Sequence, residues 1–385
     1  MIQKLINLFI YLIVFSLPLY LIHFKIFWIP ITVLELMIYI LFIFWLSYFI
    51  IKKEKFVNSN LYFPIFLIFL GATISTLFSS NIQISAGIWK AWFVAPMLFF
   101  IVLINIIKTE RQIRNIIISV VLSGFFVALI ALLYWYRGNL TYDNRLQAFY
   151  NSPNYLAMFL SPILILSSYL FFVLKNKIAK MLLIIHCLLL ITILYLTYSY
   201  GAWFGLIGST FLLLMFSRIK KRYFLLFFLI IILCISFQVS SYKFQGFLDL
   251  SYPSLKSRLI IWQSSWEIIK DHSLIGIGPS MFQKYYLEEQ VNFEPYLEWA
   301  VPQPHNVFLA FWLQTGLIGL IGFIWLIFLL FINYKSKILN SVILCVIISI
   351  IIHGLIDTTY WKNDLSVFFW LITALMSKVN HLFDL

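Results

Sequence analysis

The sequence predicts an all-α integral membrane protein of about twelve transmembrane helices, with one long extracytoplasmic loop carrying short interfacial helices. Three observations predict it. The 385 residues are 63% hydrophobic and 11% charged, at a mean hydropathy of +0.98, against roughly 25% charged for a soluble domain. Apolar runs of span length recur along the whole chain, and the loops between them divide into a basic set and a neutral set.

Counting a span wherever about 17–25 mainly apolar residues lie between polar breaks gives 6–24, 28–51, 61–78, 88–107, 115–136, 153–174, 181–198, 201–217, 223–239, 306–332, 339–356 and 365–379. The first stretch lacks a small-residue cleavage site and resembles the others, so it reads as a retained span. Cys187, Cys234 and Cys345 all fall inside apolar runs, which suits packing and not a disulfide or metal framework. With the N-terminus in the cytoplasm, the inside loops hold 17 cations against three anions, whereas the outside segments hold 10 of each. The net charge of +13 is therefore a positive-inside signal with both termini cytoplasmic, and not a nucleic-acid footprint. No internal repeat or Gly/Ser linker divides the chain, so 1–385 reads as a single membrane domain.

Three outside segments stand apart, at 137–154, 240–305 and 356–364. In the long loop, 240–305, apolar residues recur at Leu255, Leu259, Trp262, Trp266 and Ile269, the spacing of a helix. Such a helix lies in the headgroup layer or packs against the span ends. The Gly-Ile-Gly-Pro run at 276–279 reads as a tight turn.

Among six histidines, His305 differs by context. Pro302 and Pro304 favour extended backbone before it, and Asn306 is placed to cap the tenth span. The positive end of the helix dipole there suits a neutral ring able to accept a proton, and it attracts anions. Arg145 and Arg258 read as ligands of an anionic group or as snorkelling side chains. Asp357 lies near Lys362 and Asp364, and an Asp–Lys salt bridge holding that loop competes there with direct chemistry. Glu35 is the one acid within a span, a poor signature for an ion pathway. The chain has no D-x-D, P-loop, H-E-x-x-H or G-x-S-x-G motif, and Glu288, Glu289, Glu294 and Glu298 read as solvated loop charge in preference to a cation site.

Several segments, taken in order, resemble the bacterial O-antigen ligase and polymerase superfamily of GT-C-like membrane glycosyltransferases. They are RLQAFYNSPNYLAMFLSPIL (145–164), TYSYGAWFGL (197–206), SRLIIWQSSWEIIKDHSLIGIGPSMF (257–282), PHNVFLAFWLQTGLIGLIGF (304–323) and HGLIDTTYWKNDLSVFFW (353–370). The resemblance implies transfer of a glycan from a polyprenyl-pyrophosphate carrier to a hydroxyl of a glycan or glycolipid acceptor, such as lipid A core or a growing polysaccharide. The reaction would invert the anomeric centre, use no metal or other cofactor, and occur at the outer face of the bacterial cytoplasmic (inner) membrane, among its lipids. By the same resemblance His305 is the general base, with Arg145 and Arg258 matching the family's arginines. Asn154, Tyr200, Asn306, Lys362 and Asp357 complete the expected substrate-binding set. One departure stands out. Where the family commonly has Ser-Arg-Gly-Ala, this chain has Ser199-Tyr200-Gly201-Ala202, which replaces a charge by a hydroxyl and passes that role to Arg145 or Lys362. The rival readings are a transporter or flippase for a lipid-linked anion and a non-catalytic scaffold. Ligase, polymerase and protein O-glycosyltransferase differ only in acceptor.

Overall fold

The computed structural model describes residues 2–216, 229, 253–294, 298–335 and 337–382. The ninth expected span, 223–239, and the start of the long loop lie outside the described residues. In chain order the helices are α1 (Ile2–Phe15), α2 (Val33–Lys52), α3 (Tyr62–Leu77), α4 (Ile82–Trp89), α5 (Ala95–Ile106), α6 (Glu110–Tyr136), α7 (Pro153–Val173), α8 (Lys177–Thr197) and α9 (Tyr200–Phe216). They continue with α10 (Pro253–His272), α11 (Phe282–Glu289), α12 (Val307–Ile332), α13 (Ile338–Gly354) and α14 (Asn363–Leu382). Among the described residues six helical units are long and apolar enough to cross a membrane: α2, the α4–α5 unit, α6, α7, α8 and α12, with α1, α3 and α13 shorter but apolar. The bundle is held by the pairings α3 with α12, α9 with α13, α5 with α14 and α7 with α8.

Two expected spans are changed by proline. The first, expected over 6–24, ends as a helix at Phe15 and passes through a 3-10 turn, Leu17–Leu21, with proline in its first turn. A β-hairpin then follows, His23–Ile26 paired antiparallel with Ile29–Thr32, so the second span also starts later than expected. Pro18 has no N–H to continue the first helix, and Ile26, Ile29, Ile31 and Thr32 are β-branched. The fourth expected span lengthens to Ile82–Ile106 but contains a π-helical turn over Lys90–Val94, one turn before Pro96. Pro96 cannot donate to the Trp92 carbonyl, and the Tyr360 hydroxyl donates to that oxygen instead, at 2.5 Å.

Glu35 lies within an apolar span-length helix, as the sequence indicates. It sits in the first turn of α2, where it closes a capping box with Thr32, and it accepts from Lys90 at 2.5 Å. It is a capping acid at a helix end.

α12 is broken at Gly316, whose φ of 65° and ψ of −175° are not helical. The turn that follows α10 fills the break. Ile277 N–H donates to the Leu313 carbonyl at 2.6 Å, and Leu317 N–H donates to the Leu274 carbonyl at 3.1 Å. The bond that would have run from Leu317 to Leu313 is thus replaced by two bonds to the loop, and both of its groups keep a partner. The approach requires glycine on both sides. A Cβ on Gly316 would lie 2.3 Å from the Leu274 carbonyl oxygen, and one on Gly276, at φ 79°, 2.5 Å from that of Leu313. The loop is thereby sewn to the helix that carries His305 at its head.

The loop helix α10 forms, and its apolar stripe is only partly buried, with Ile269 3% exposed and Trp262 packed against the loop cluster. Leu259 and Trp266 are about half exposed, while Ser257, Ile261, Ser264, Ser265 and Ile268 are buried. The small serines let this face approach its neighbours closely, and Ile261 and Ile268 pack with Ile277, Phe282 and Leu313.

Candidate functional site

Asn306 caps α12 as its residue type suggested, its Oδ1 accepting from the N–H groups of Phe308 at 2.9 Å and Leu309 at 3.1 Å. Its Nδ2 donates to the Leu355 carbonyl, which ties the head of α12 to the end of α13. His305, just before the cap, has a φ of 47°, a left-handed conformation that costs a non-glycine residue roughly 1–2 kcal/mol. Surrounding bonds hold it there. Trp262 Nε1 donates to the His305 carbonyl at 3.3 Å, and Gln314, which accepts from Ser280 N–H, donates to buried Gln303 at 2.8 Å.

The strained backbone aims the imidazole at Asp357. His305 Nδ1 lies 3.0 Å from Asp357 Oδ1, which also accepts from Thr358 N–H at 2.9 Å. Asp357 Oδ2 accepts from Asn154 Nδ2 at 2.7 Å, and an Arg258 terminal nitrogen lies 3.7 Å away. A carboxylate only accepts, so the proton of this pair belongs on Nδ1 and the neutral ring keeps its lone pair on Nε2. Burial works to raise the Asp357 carboxyl, but its pairing with His305, then with Arg258, prevails and holds it well below the usual carboxylate range.

Arg145 extends the network. It donates through Nη2 to Asn154 Oδ1 at 2.6 Å and through Nε to the Thr197 carbonyl at 2.7 Å. Asn154 therefore bridges Arg145 and Asp357. Its own position is set by the start of α7, where Ser152 Oγ accepts from Asn154 N–H beside Pro153.

These side chains line a cleft of about 1050 Å³, with Arg145, Asn154, Arg258, His305, Asp357 and Lys362 in its walls. Trp92, Tyr155, Ser257, Glu298, Gln303 and Trp361 share them. Among the described residues Asp357 pairs with His305 and Arg258, and not with Lys362. The lysine amine lies instead 3.8 Å from the ring centroid of Tyr155 and 5.5 Å from that of Tyr150. Burial holds it below the usual lysine range, with Asp364 pulling the other way. Tyr200 starts α9 and does not line the large cleft. It borders a smaller chamber together with Arg145, Asn154, Arg258, His353 and Asp357. Glu298, read as solvated charge, accepts from Ser257 Oγ at 2.6 Å in the cleft wall.

His353 is the residue that reading from sequence missed. It is 2% exposed and directly behind the network, yet it looks like any histidine late in an apolar span. Trp361 and Tyr155 were equally hidden, since only their positions beside Lys362 and Asn154 marked them. No group of three or more His, Cys, Asp or Glu side chains among the described residues is arranged to hold a metal ion.

The arrangement can take a proton at His305 Nε2 while guanidinium groups face the same space. Residues 185–324 match the family model described as O-Antigen ligase, a match that supports the O-antigen ligase/polymerase superfamily. The matched segment holds Tyr200, Arg258, His305 and Asn306. Arg145, Asn154, Asp357 and Lys362 lie outside it and join the site by folding. No curated protein matches the chain.

Proposed function

For a chain of the O-antigen ligase/polymerase superfamily, we propose the activity of a glycosyltransferase that moves a glycan from a polyprenyl pyrophosphate to an acceptor hydroxyl, with inversion and without a metal. The observation that carries this reading is the pairing of His305 with Asp357 beside Arg258, at the wall of a cleft large enough for sugar units. The acceptor hydroxyl gives its proton to His305 Nε2 as its oxygen attacks the anomeric carbon. The bond from that carbon to the pyrophosphate oxygen breaks, and its electron pair leaves on the phosphate. Asp357 holds the Nδ1 proton and steadies the imidazolium that forms. Arg258 and Arg145 supply positive charge for the departing pyrophosphate, the work a divalent metal does in other transferases.

Asn154 supports this role by aligning Arg145 with Asp357, and Asn306 by fixing the head of α12. Tyr200, at the N-terminus of α9, offers one hydroxyl and no charge to the same anion, and Arg145 borders both spaces. With the basic loops cytoplasmic, this cleft opens on the outer face of the cytoplasmic membrane, where a lipid-linked glycan and its acceptor would meet. A carrier of lipid-linked anions would need charges at mid-membrane or an open helix break. Glu35 is a capping acid, and the break at Gly316 is filled by loop backbone.

The test is turnover by purified protein in detergent of a polyprenyl-pyrophosphate glycan, followed as release of polyprenyl pyrophosphate. His305→Ala is expected to lower turnover about 10²–10⁴-fold with the protein still folded. Full transfer by that variant would refute the base assignment. Absence of any transfer by the parent protein would refute the reading as a whole.

A further inference from the structure

Lys362 is a cation of the cleft wall that the transfer chemistry above leaves unused. Among the described residues its ammonium makes no hydrogen bond and has no carboxylate within 4 Å. The acids that share the wall are held elsewhere: Asp357 by His305 and Arg258, Glu298 by Ser257, and Asp143 by Thr141. Asp364, two residues on, is fully buried. It accepts from the Tyr150 hydroxyl at 3.1 Å and from Leu365 N–H at 3.0 Å.

Three tyrosine rings surround the amine instead. Its nitrogen lies 3.8 Å from the centroid of Tyr155, 5.5 Å from that of Tyr150 and 5.7 Å from that of Tyr20. The rings come from α7, from the segment before it and from the 3-10 turn after α1, so three parts of the chain converge on one side chain. Ring faces attract the charge but take none of the three N–H donors as a carboxylate would. Its location also separates Lys362 from the arginines. Arg145 and Arg258 border both the large cleft and the smaller chamber at Asp357, whereas Lys362 borders the large cleft alone. Trp361, its chain neighbour, and Trp92, 5.8 Å from Trp361 between ring centroids, line the same cleft. Aromatic walls with a few placed polar groups are what a site for sugar rings requires.

We propose that Lys362 binds the carboxylate of an acidic sugar, so that this cleft prefers glycans carrying uronic-acid-type residues. The inference rests on the transferase reading above and names its substrate class. A compact ammonium on a flexible stem meets one carboxylate as a point charge, whereas the departing pyrophosphate has the two guanidinium groups. A carboxylate beside the amine would also offset the burial that disfavours its charged form.

The probes are farnesyl pyrophosphate joined to a disaccharide of glucuronic acid or of glucose, and the methyl glycosides of the same two disaccharides. Binding to the purified full chain in detergent is measured for each, the glycosides with farnesyl pyrophosphate present. An acidic probe is expected to bind about tenfold or more tightly than its neutral counterpart, the scale of one hydrogen bond to a charged group. A preference within the lipid-linked pair places the acid on the donor glycan, and one confined to the glycosides places it on the acceptor. Lys362→Met should bring the acidic probe down to the affinity of the neutral one. Lys362→Arg, which keeps a charge, should retain most of the preference. Tyr155→Leu, which removes the nearest ring and leaves the lysine, should lower it, with unfolding temperature as the control for all three variants. No preference in the parent protein, a preference that survives in Lys362→Met, or equal weakening of both probes and of farnesyl pyrophosphate would each overturn the proposal. If the parent protein transfers glycan without preferring an acidic probe, this inference alone fails. If it neither transfers glycan nor shows the preference, the transferase reading fails with it.

Discussion

Asp357→Asn tests the centre of the site, because no orientation of the amide fits it. The Oδ1 position faces two donors, His305 Nδ1–H at 3.0 Å and Thr358 N–H at 2.9 Å. The Oδ2 position faces Asn154 Nδ2–H at 2.7 Å and the Arg258 guanidinium at 3.7 Å. An amide must set its NH₂ against one of these pairs. With NH₂ toward Asn154 and Arg258, the His305 bond survives as a neutral one and the loss is about one charge-assisted bond, roughly 1.5–3 kcal/mol or ten- to 150-fold in turnover. With NH₂ toward His305, the imidazole must place its proton on Nε2, and the loss grows toward the roughly 10⁴-fold known when a carboxylate behind a catalytic histidine becomes an amide. Initial rates of glycan transfer at saturating donor measure this, with acceptor KM and unfolding temperature as controls. Turnover within about threefold of the parent protein would refute the dyad. The pH dependence of stability gives a second check. Because the native carboxyl is depressed, its contribution is complete above the unfolded value of about 4 and is withdrawn only as pH falls through the lower native value. The stability lost in Asp357→Asn should therefore shrink as pH falls below about 4.

Gly316→Ala places a methyl group 2.3 Å from the Leu274 carbonyl at a positive φ, and is expected to cost about 1–3 kcal/mol, seen as a lower unfolding temperature. Gly87→Ala, with nothing within 4 Å of the added carbon, should be nearly neutral. For Lys362, burial depresses the native amine, so the unfolded chain binds more protons just below its value of about 10.4, and stability rises with pH in that window. Lys362→Met should flatten this rise in unfolding temperature between pH 7 and pH 10; an unchanged slope would mean the amine is solvated. Treatment with EDTA should leave transfer undiminished, and a loss restored by added divalent metal would contradict guanidinium stabilisation of the leaving group.

How much of this was legible in advance follows from the range of each interaction. Asn306 as a cap and the Gly-Ile-Gly-Pro run as a turn depend on neighbours a few residues away, and the structure forms both. Glu35 lies in a span as hydropathy reads it, but that reading does not register Thr32, three residues before it, as its capping partner. A bridge from Lys362 to Asp357 is not formed, for a related reason. Proximity in sequence suggested it, but a histidine 52 residues away and an aromatic ring on α7 offered each partner a better contact. His353 could not be singled out, since nothing local separates a histidine against Gly201 from one facing lipid.

What the sequence by itself determined is the solvent of the chain and the residues able to do chemistry. Hydropathy and loop charge act over tens of residues and need no partner to be read, so a helical membrane protein, His305 and the arginines follow from composition and context. Only the tertiary structure decided what those residues do to one another. The imidazole tautomer, the bridge through Asn154, the loop sewn into α12 and the chamber behind Asp357 all depend on contacts between segments far apart in the chain. Hydrogen bonds act over about 3 Å, and no pattern within one segment can specify them.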